Sequence, residues 1–321
     1  MRPLRIRQIA SRGPRRADRR LLIEEAGLTD SLQKNLRDRV GDTAGVILVI
    51  GEADSGKTTV SRALTADAIA AGRSVAYVDA DLAASTVGPP ACVGLVVMTR
   101  DTVIEPGVEP DEIRFVGSTD PNGVVLPHVV AVSKLVNKAK EEADLVIVDT
   151  SSVVSGVVGQ TLKYHLAEMT DPSLVIALQH GNELDPVVAM LRRFFSVRVA
   201  EAAPPDDLVS LSPTDMSEAR AEAFRRNLGD DPQRWRVQTT VFAPTLPAGF
   251  DVSRLDSMLV GVQDERGACL GLGVLEQTDG VVKVATRFGE QMRGLRLGSI
   301  RLDLGTYATT RVRLRELIFG V

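Results

Sequence analysis

Along the first two-thirds of the chain, short apolar runs alternate with longer stretches in which apolar residues recur every three or four positions. Residues 46–50 are continuously apolar, as a strand buried on both faces requires. Residues 74–78, 145–148 and 174–178 are likewise largely apolar, and 113–116 is a further short strand candidate. Between and after them, residues 57–71, 127–142, 159–169 and 183–193 have helical spacing, and Gly72 stops the first of these helices. Residues 21–40 read as one or two short amphipathic helical pieces. This alternation predicts a parallel sheet with covering helices. After Trp235 the pattern changes. Short runs at 237–242, 258–263, 269–275, 281–284 and 299–302, punctuated by Gly and Asp, predict a small antiparallel sheet or barrel. Pro204, Pro205, Pro213 and a charged helix at 215–228 link the two regions. The expected organisation is an N-terminal extension with a short helix at 1–40, an α/β domain at 41–234 that includes the charged helix, and a small β-rich domain at 235–321.

Composition narrows the class. At 321 residues the chain is long enough for two domains, and 44% hydrophobic residues supply a real core. No apolar run approaches the ~20 residues of a membrane helix, and the charged N-terminus lacks the apolar segment of a secretory signal. A cytoplasmic placement is therefore expected, with no membrane partner. Cys92 and Cys269 lie far apart without a CxxC or His/Cys cluster, which excludes a disulfide framework and a zinc site of the usual spacing. Both read as small buried apolar residues. The net charge of −4 excludes a wholly basic nucleic-acid coat. The first twenty residues nevertheless hold eight Arg against one Asp18, an arm that either touches phosphates or is a solvated tail.

The chemistry is concentrated at Gly51-Glu52-Ala53-Asp54-Ser55-Gly56-Lys57-Thr58, which completes G-x-x-x-x-G-K-[ST] between a buried strand and a helix. Gly51 and Gly56 let the backbone curl so that its N–H groups, with those of Glu52, Ala53, Asp54, Ser55 and Thr59 alongside, face phosphates at a helix N-terminus. Lys57 is expected to reach the β- and γ-phosphates, and the Thr58 hydroxyl to ligate Mg²⁺. The fold class expected is α/β: a P-loop parallel sheet with helices on both faces, followed by a small C-terminal β domain. Asp79 and Asp81 close the second strand and Asp149 closes a later one, where ligands of open α/β sheets bind. Asp81 and Asp149 are the expected acids, as metal ligands or proton acceptors; a helix cap or turn is the bland alternative for either.

These residues carry a family resemblance. The stretches GEADSGKTT at 51–59, VAYVDADLAASTVGPPACVGL at 75–95, FVGSTDPNG at 115–123, ADLVIVDTSSVVSG at 143–156, PSLVIALQHGNEL at 172–184 and LVGVQDERGACLGLGVLE at 259–276 resemble the polynucleotide 5′-hydroxyl kinases. These are the P-loop kinases related to the RNA-kinase subunit of the mRNA 3′-end and tRNA-splicing machinery and to the ribosomal-RNA-processing kinase, and the likeness is to their short prokaryotic relatives. It covers roughly residues 45–302. The resemblance implies transfer of the ATP γ-phosphoryl to the 5′-OH of RNA or DNA, with Mg²⁺. It places Asp81 as the acid that activates the hydroxyl, and Lys57 and Thr58 in their phosphate-loop roles. The helix at 217–228 becomes a lid whose Arg220 and Arg225 close over the transferring phosphate; Glu218 and Glu222 beside them also fit a solvated helix face. Ser118 and Thr119, and Thr150 after Asp149, fall on the substrate side. Protein partners are expected through the C-terminal β domain.

Departures from the family pattern lie on that substrate side. Ala83 and Ala84 stand where the family has Gly and Gln after D-x-D, so a positioning amide is absent. Ser152 and Val153 stand where the family has a Gly and an aromatic or bulky residue, and Val124 replaces a histidine. His128, four residues on, reads as a helix-start or core residue. Three readings follow: an ATP-dependent polynucleotide 5′-kinase; a catalytically weakened nucleotide-binding switch or assembly factor; and a small-molecule kinase or GTPase on the same fold.

Overall fold

The computed structural model describes residues 36, 39–41, 43–204 and 212–319. The arginine-rich stretch at 1–20, the first part of the helical stretch expected at 21–40, and Pro205 lie outside the described residues. In chain order the α/β part consists of β1 (Gly45–Gly51), α1 (Lys57–Ala70), β2 (Val75–Ala80), β3 (Cys92–Val97), β4 (Glu112–Phe115), α2 (Val125–Glu142), β5 (Leu145–Thr150), α3 (Gly156–Thr170), β6 (Leu174–Leu178), α4 (Asp185–Phe194), β7 (Arg198–Ala202) and α5 (Pro213–Leu228). The rest is β8 (Arg234–Arg236), β9 (Phe242–Ala243), β10 (Met258–Gln263), β11 (Cys269–Thr278), β12 (Val281–Ala285), β13 (Gly294–Leu302), β14 (Thr309–Arg311) and α6 (Leu314–Phe319).

Strands β2–β5–β1–β6–β7 are parallel neighbours in that order. Both faces are covered. Val60, Leu64 and Ala68 of α1 pack with Leu36 and Val40 on one side; α2, α3 and α4 pack on the other through Val132, Leu135, Leu162, Leu166 and Leu191. The sheet does not stay parallel, however. Beyond β2 it continues through the antiparallel pair β3 and β4, and β11 joins β4 with Cys269 opposite Ile113. The C-terminal strands thus extend the same sheet while forming a further domain around Val260, Val262, Leu275, Val284 and Leu295.

The sequence reading lacks β3, β7, β8, β14 and α6, and it places a strand where a turn lies. β7 is an edge strand with residues exposed on both faces, so its sequence lacks an apolar run. β3 is apolar but follows a long loop without a helix, and so breaks the expected alternation. Residues 237–241 are not a strand, and only Phe242 of the expected run enters one, β9: Thr239–Val241 is a 3₁₀ turn closed by Val241 N–H on the Gln238 carbonyl. Val237 and Val241 are four positions apart, a helical rather than a strand period.

The linking helix α5 starts with a capping box, Ser212 with Asp215, and Pro213 in its first turn. Its second half is anchored in the C-terminal domain. Phe224 and Leu228 are fully buried against Leu259, Leu272 and Val274, and the Asn227 side-chain oxygen accepts from Leu272 N–H at 3.0 Å. Its first half is mostly exposed, with Arg220 reaching the loop after β2.

Candidate active site

The loop after β1 turns tightly enough that only glycine fits at its start. A Cβ at Gly51 would lie 2.2 Å from Ser55 Oγ and 2.9 Å from the Leu178 carbonyl. Gly56 precedes α1 in the left-handed region at φ 77, and Asp54 adopts φ 57, which Asp tolerates better than most residues. Glu52, Ala53 and Asp54 are exposed, Ser55 is buried with its hydroxyl on the Glu52 carbonyl, and Thr59 is half-buried on the first turn of α1. Lys57 is buried and donates to the Glu52 carbonyl at 2.6 Å, folded over its own loop. Burial lowers its pKa, and Asp149, Asp81, Asp54 and Glu52 work against that.

Thr58 and Asp149 meet directly: Thr58 Oγ1 donates to Asp149 Oδ2 at 2.6 Å. The Tyr77 hydroxyl donates to the same oxygen at 3.0 Å. Asp149 Oδ1 is buried with no hydrogen-bond partner among the described residues. A hydroxyl beside a carboxylate that keeps one oxygen free is the oxygen-only donor set suited to a divalent cation shared with phosphates. Burial raises the Asp149 pKa, and the Thr58 hydroxyl and Lys57 oppose the shift.

The two acids that close β2 are divided in role by their hydrogen bonds. Asp79 is buried and accepts from the backbone N–H groups of Asp81, Thr86 and Val87 at 3.0, 2.6 and 3.0 Å, so it pins the loop after β2. Burial and the facing Asp149 push its pKa up, to about 8. Asp81 is half-buried; its Oδ1 accepts from Ala83 and Ala84 N–H, and its Oδ2 has no hydrogen bond among the described residues. The segment at Ala83–Ala84 therefore works through its backbone, two N–H groups on Asp81 and one carbonyl that accepts from Arg220 Nε at 3.1 Å.

The two arginines expected in a lid part company. Arg220, on the free half of α5, reaches the loop that carries Asp81. Arg225 pairs with Glu222 and lies 3.8 Å from Asp230, away from that loop. Ser118 is buried and closes its own turn through the backbone of Asp120. Thr119 is half-buried beside it. Thr150 is buried, with its hydroxyl donating to the Val49 carbonyl at 2.8 Å, which ties β5 to β1. His128 is buried on the first turn of α2 with Nε2 2.9 Å from the Ala80 carbonyl, and burial depresses its pKa to about 4.

Sequence reading missed Tyr77, Arg62 and Lys163. Arg62 on α1 donates to Thr86 Oγ1 at 3.0 Å, holding the loop after β2 from the other side. Lys163 is a buried lysine on α3 that donates to Thr150 Oγ1 at 2.9 Å and to the Ser151 carbonyl at 2.6 Å. Burial and Lys57 lower its pKa to about 7, while Asp81 and Asp149 pull it up. One signal pointed to it: in α3 the buried stripe is Gly159, Leu162, Lys163, Leu166, Ala167, Thr170, and only Lys163 puts a charge at such a position.

A phosphate loop at the end of a buried parallel strand, with a hydroxyl–carboxylate pair beside it, defines a P-loop fold. The family model for the mRNA cleavage and polyadenylation factor CLP1 P-loop matches residues 51–229. The chain belongs to that family. It is 27% identical over 319 residues to a polyribonucleotide 5′-hydroxyl-kinase of Methanocaldococcus jannaschii, covering 80% of this chain and 87% of that protein. A protein of the same name from Pyrococcus furiosus is 25% identical over 327 residues, with 85% and 86% covered. Among solved structures, Clp1p in the wild-type Clp1p–Pcf11p complex superposes with a TM-score of 0.62 at 12% identity, covering 84% of this chain and 79% of that one. Among the described residues no helix is long and apolar enough to cross a membrane.

Proposed function

We propose that this protein transfers the γ-phosphoryl group of ATP to the 5′-hydroxyl of a polynucleotide. The observation that carries the reading is the free oxygen of Asp81, set at the same sheet edge as Lys57 and the Thr58–Asp149 pair, with Arg220 docked on the Asp81 loop. Loop N–H groups and Lys57 hold the triphosphate, with Lys57 turning from the Glu52 carbonyl to the phosphates. Thr58 and Asp149 would hold Mg²⁺, which when bound screens the phosphate charge. Asp81 Oδ2 accepts the 5′-hydroxyl proton as that oxygen forms its bond to the γ-phosphorus. The bond from the γ-phosphorus to the bridging oxygen breaks in line, and ADP leaves. Lys57 and Arg220 offset the charge spread over the transferred group. The names of the archaeal relatives support the same reaction, and RNA over DNA as its substrate.

One observation favours a second reading, a nucleotide-controlled assembly factor. Ala84 has no amide to position a reactant, and Val153 offers no ring on which a base can stack. Transfer of labelled γ-phosphate from ATP to 5′-OH single-stranded RNA and DNA, with Lys57→Ala and Asp81→Asn as controls, decides between them. Transfer lost in both variants supports the kinase. ATP binding that depends on Lys57, without transfer to either strand, overturns it.

A further inference from the structure

A cavity of about 690 Å³ opens between the loop that follows β4, the first turn of α2 and the C-terminal domain. Its wall carries Arg296 from β13, Arg311 from the end of β14, Arg313 from the connection and Arg315 from the first turn of α6, and no acidic side chain among the described residues. In a chain of net charge −4 this is a local concentration of positive charge. Arg311 braces the two sides, donating to the Asn122 carbonyl at 2.7 Å and pairing with Asp120 at 3.1 Å. Arg313 pairs with Glu316 at 2.7 Å. The side chains of Arg296, half-buried, and Arg315 make no hydrogen bond or ion pair among the described residues, so two of the four guanidinium groups are unmatched.

The position of the cavity fits a strand leaving the reaction site. β3 is antiparallel to both β2 and β4, so β2 and β4 run the same way and end at the same sheet edge. One strand separates them, which puts the end of β4 about 10 Å from that of β2, where Asp81 sits. The Ser118–Thr119 turn lies between, and its Gly117 carbonyl accepts from Ser299 N–H of β13 at 2.6 Å, locking it to the far wall. The backbone N–H groups opening α2 add their positive end to the same space. No aromatic side chain lines it, so nothing there stacks a base. Guanidinium groups match phosphate oxygens bidentately, and with no ring to hold a base in place the cleft favours the backbone.

We propose that this arginine cleft binds the sugar–phosphate backbone of a single-stranded nucleic acid a few nucleotides downstream of the 5′ end held at Asp81. This rests on the polynucleotide reading above. It assigns to the C-terminal domain a part in substrate binding as well as in anchoring α5.

The test is binding, without ATP, of a 3′-labelled 12-nucleotide single-stranded RNA with a free 5′-OH, followed by anisotropy over a salt series. Arg296→Ala/Arg315→Ala is expected to weaken binding about tenfold or more at low salt and to flatten the plot of log affinity against log salt by about 1.4, that is ~0.7 for each phosphate no longer neutralised. Arg296→Lys/Arg315→Lys keeps both charges and is expected to keep most of the slope. Urea midpoints of each variant exclude loss of folding. A slope unchanged in the alanine variant overturns the inference. So does weakened binding of a poly-glutamate peptide with RNA binding intact, which would make the cleft a protein-docking site. Because the readout needs no transfer, the two readings fail separately. A wild type that phosphorylates RNA with an unchanged slope in the variant loses only the cleft. A wild type that transfers nothing, with the slope lost in the variant, loses only the kinase.

Discussion

Lys163→Met tests whether burial beneath the site makes this lysine give up its proton in the folded protein. In the folded protein its pKa falls from 10.5 to about 7, chiefly because burial strips water from the ammonium group. The unfolded chain therefore binds more protons than the folded one between pH 7 and 10.5, and stability rises with pH across that window. The contribution is complete above pH 10.5 and is lost as pH falls toward 7. At about 1.4 kcal/mol per pH unit the full window is worth roughly 5 kcal/mol, and the part between pH 7 and 9 about 3 kcal/mol. Methionine has nearly the same reach and no charge, so the variant lacks this slope. It also leaves the Ser151 carbonyl without its donor, a cost of about 1–3 kcal/mol that does not vary with pH. Urea denaturation of both proteins at pH 7 and pH 9 is the assay. Wild type is expected to gain about 3 kcal/mol on the variant between the two pH values. Parallel pH profiles would refute the reasoning, since they would mean that Lys163 keeps an ordinary pKa in the folded chain.

Gly51→Ala is expected to abolish ATP binding by calorimetry while the protein still folds, because the added Cβ collides with Ser55 Oγ and the Leu178 carbonyl. Arg220→Ala is expected to lower kcat for 5′-phosphoryl transfer about 10²-fold or more, whereas Arg225→Ala, whose exposed side chain is held by Glu222, changes it by less than about threefold. Equal losses in steady-state assays would show that the lid works by overall charge. His128 has its pKa depressed from 6.5 to about 4 by burial, so the stability it contributes is complete above pH 6.5 and is lost as pH falls through 4. Between pH 6.5 and 4.5, urea midpoints of wild type are expected to fall relative to His128→Asn by an amount equal to about 2–3 kcal/mol. Parallel curves would contradict a buried neutral imidazole.

The amino-acid sequence alone determined what depends on neighbours along the chain. The phosphate loop is eight consecutive residues whose backbone curl needs Gly51 and Gly56 in place, and the acids Asp81 and Asp149 are marked by the apolar runs they terminate. The buried strands β1, β2, β5 and β6 were legible for the same reason, because a strand covered on both faces is apolar throughout. Tertiary structure decided what depends on partners distant in sequence. It separated Asp79 from Asp81, since three backbone N–H groups on the loop after β2 converge on the first and leave the second an open oxygen. It parted Arg220 from Arg225, because Phe224 and Leu228 fix the rotation of α5 against the C-terminal domain. It set Cys92 and Cys269 on the two strands that flank β4, although the sequence holds them far apart. It placed Lys163 under Thr150, and Arg296 beside Arg311 at the mouth of the loop after β4. Hydrophobic periodicity reports which face of an element is buried. It does not report which element covers that face, and the charges of this site are set by that second choice.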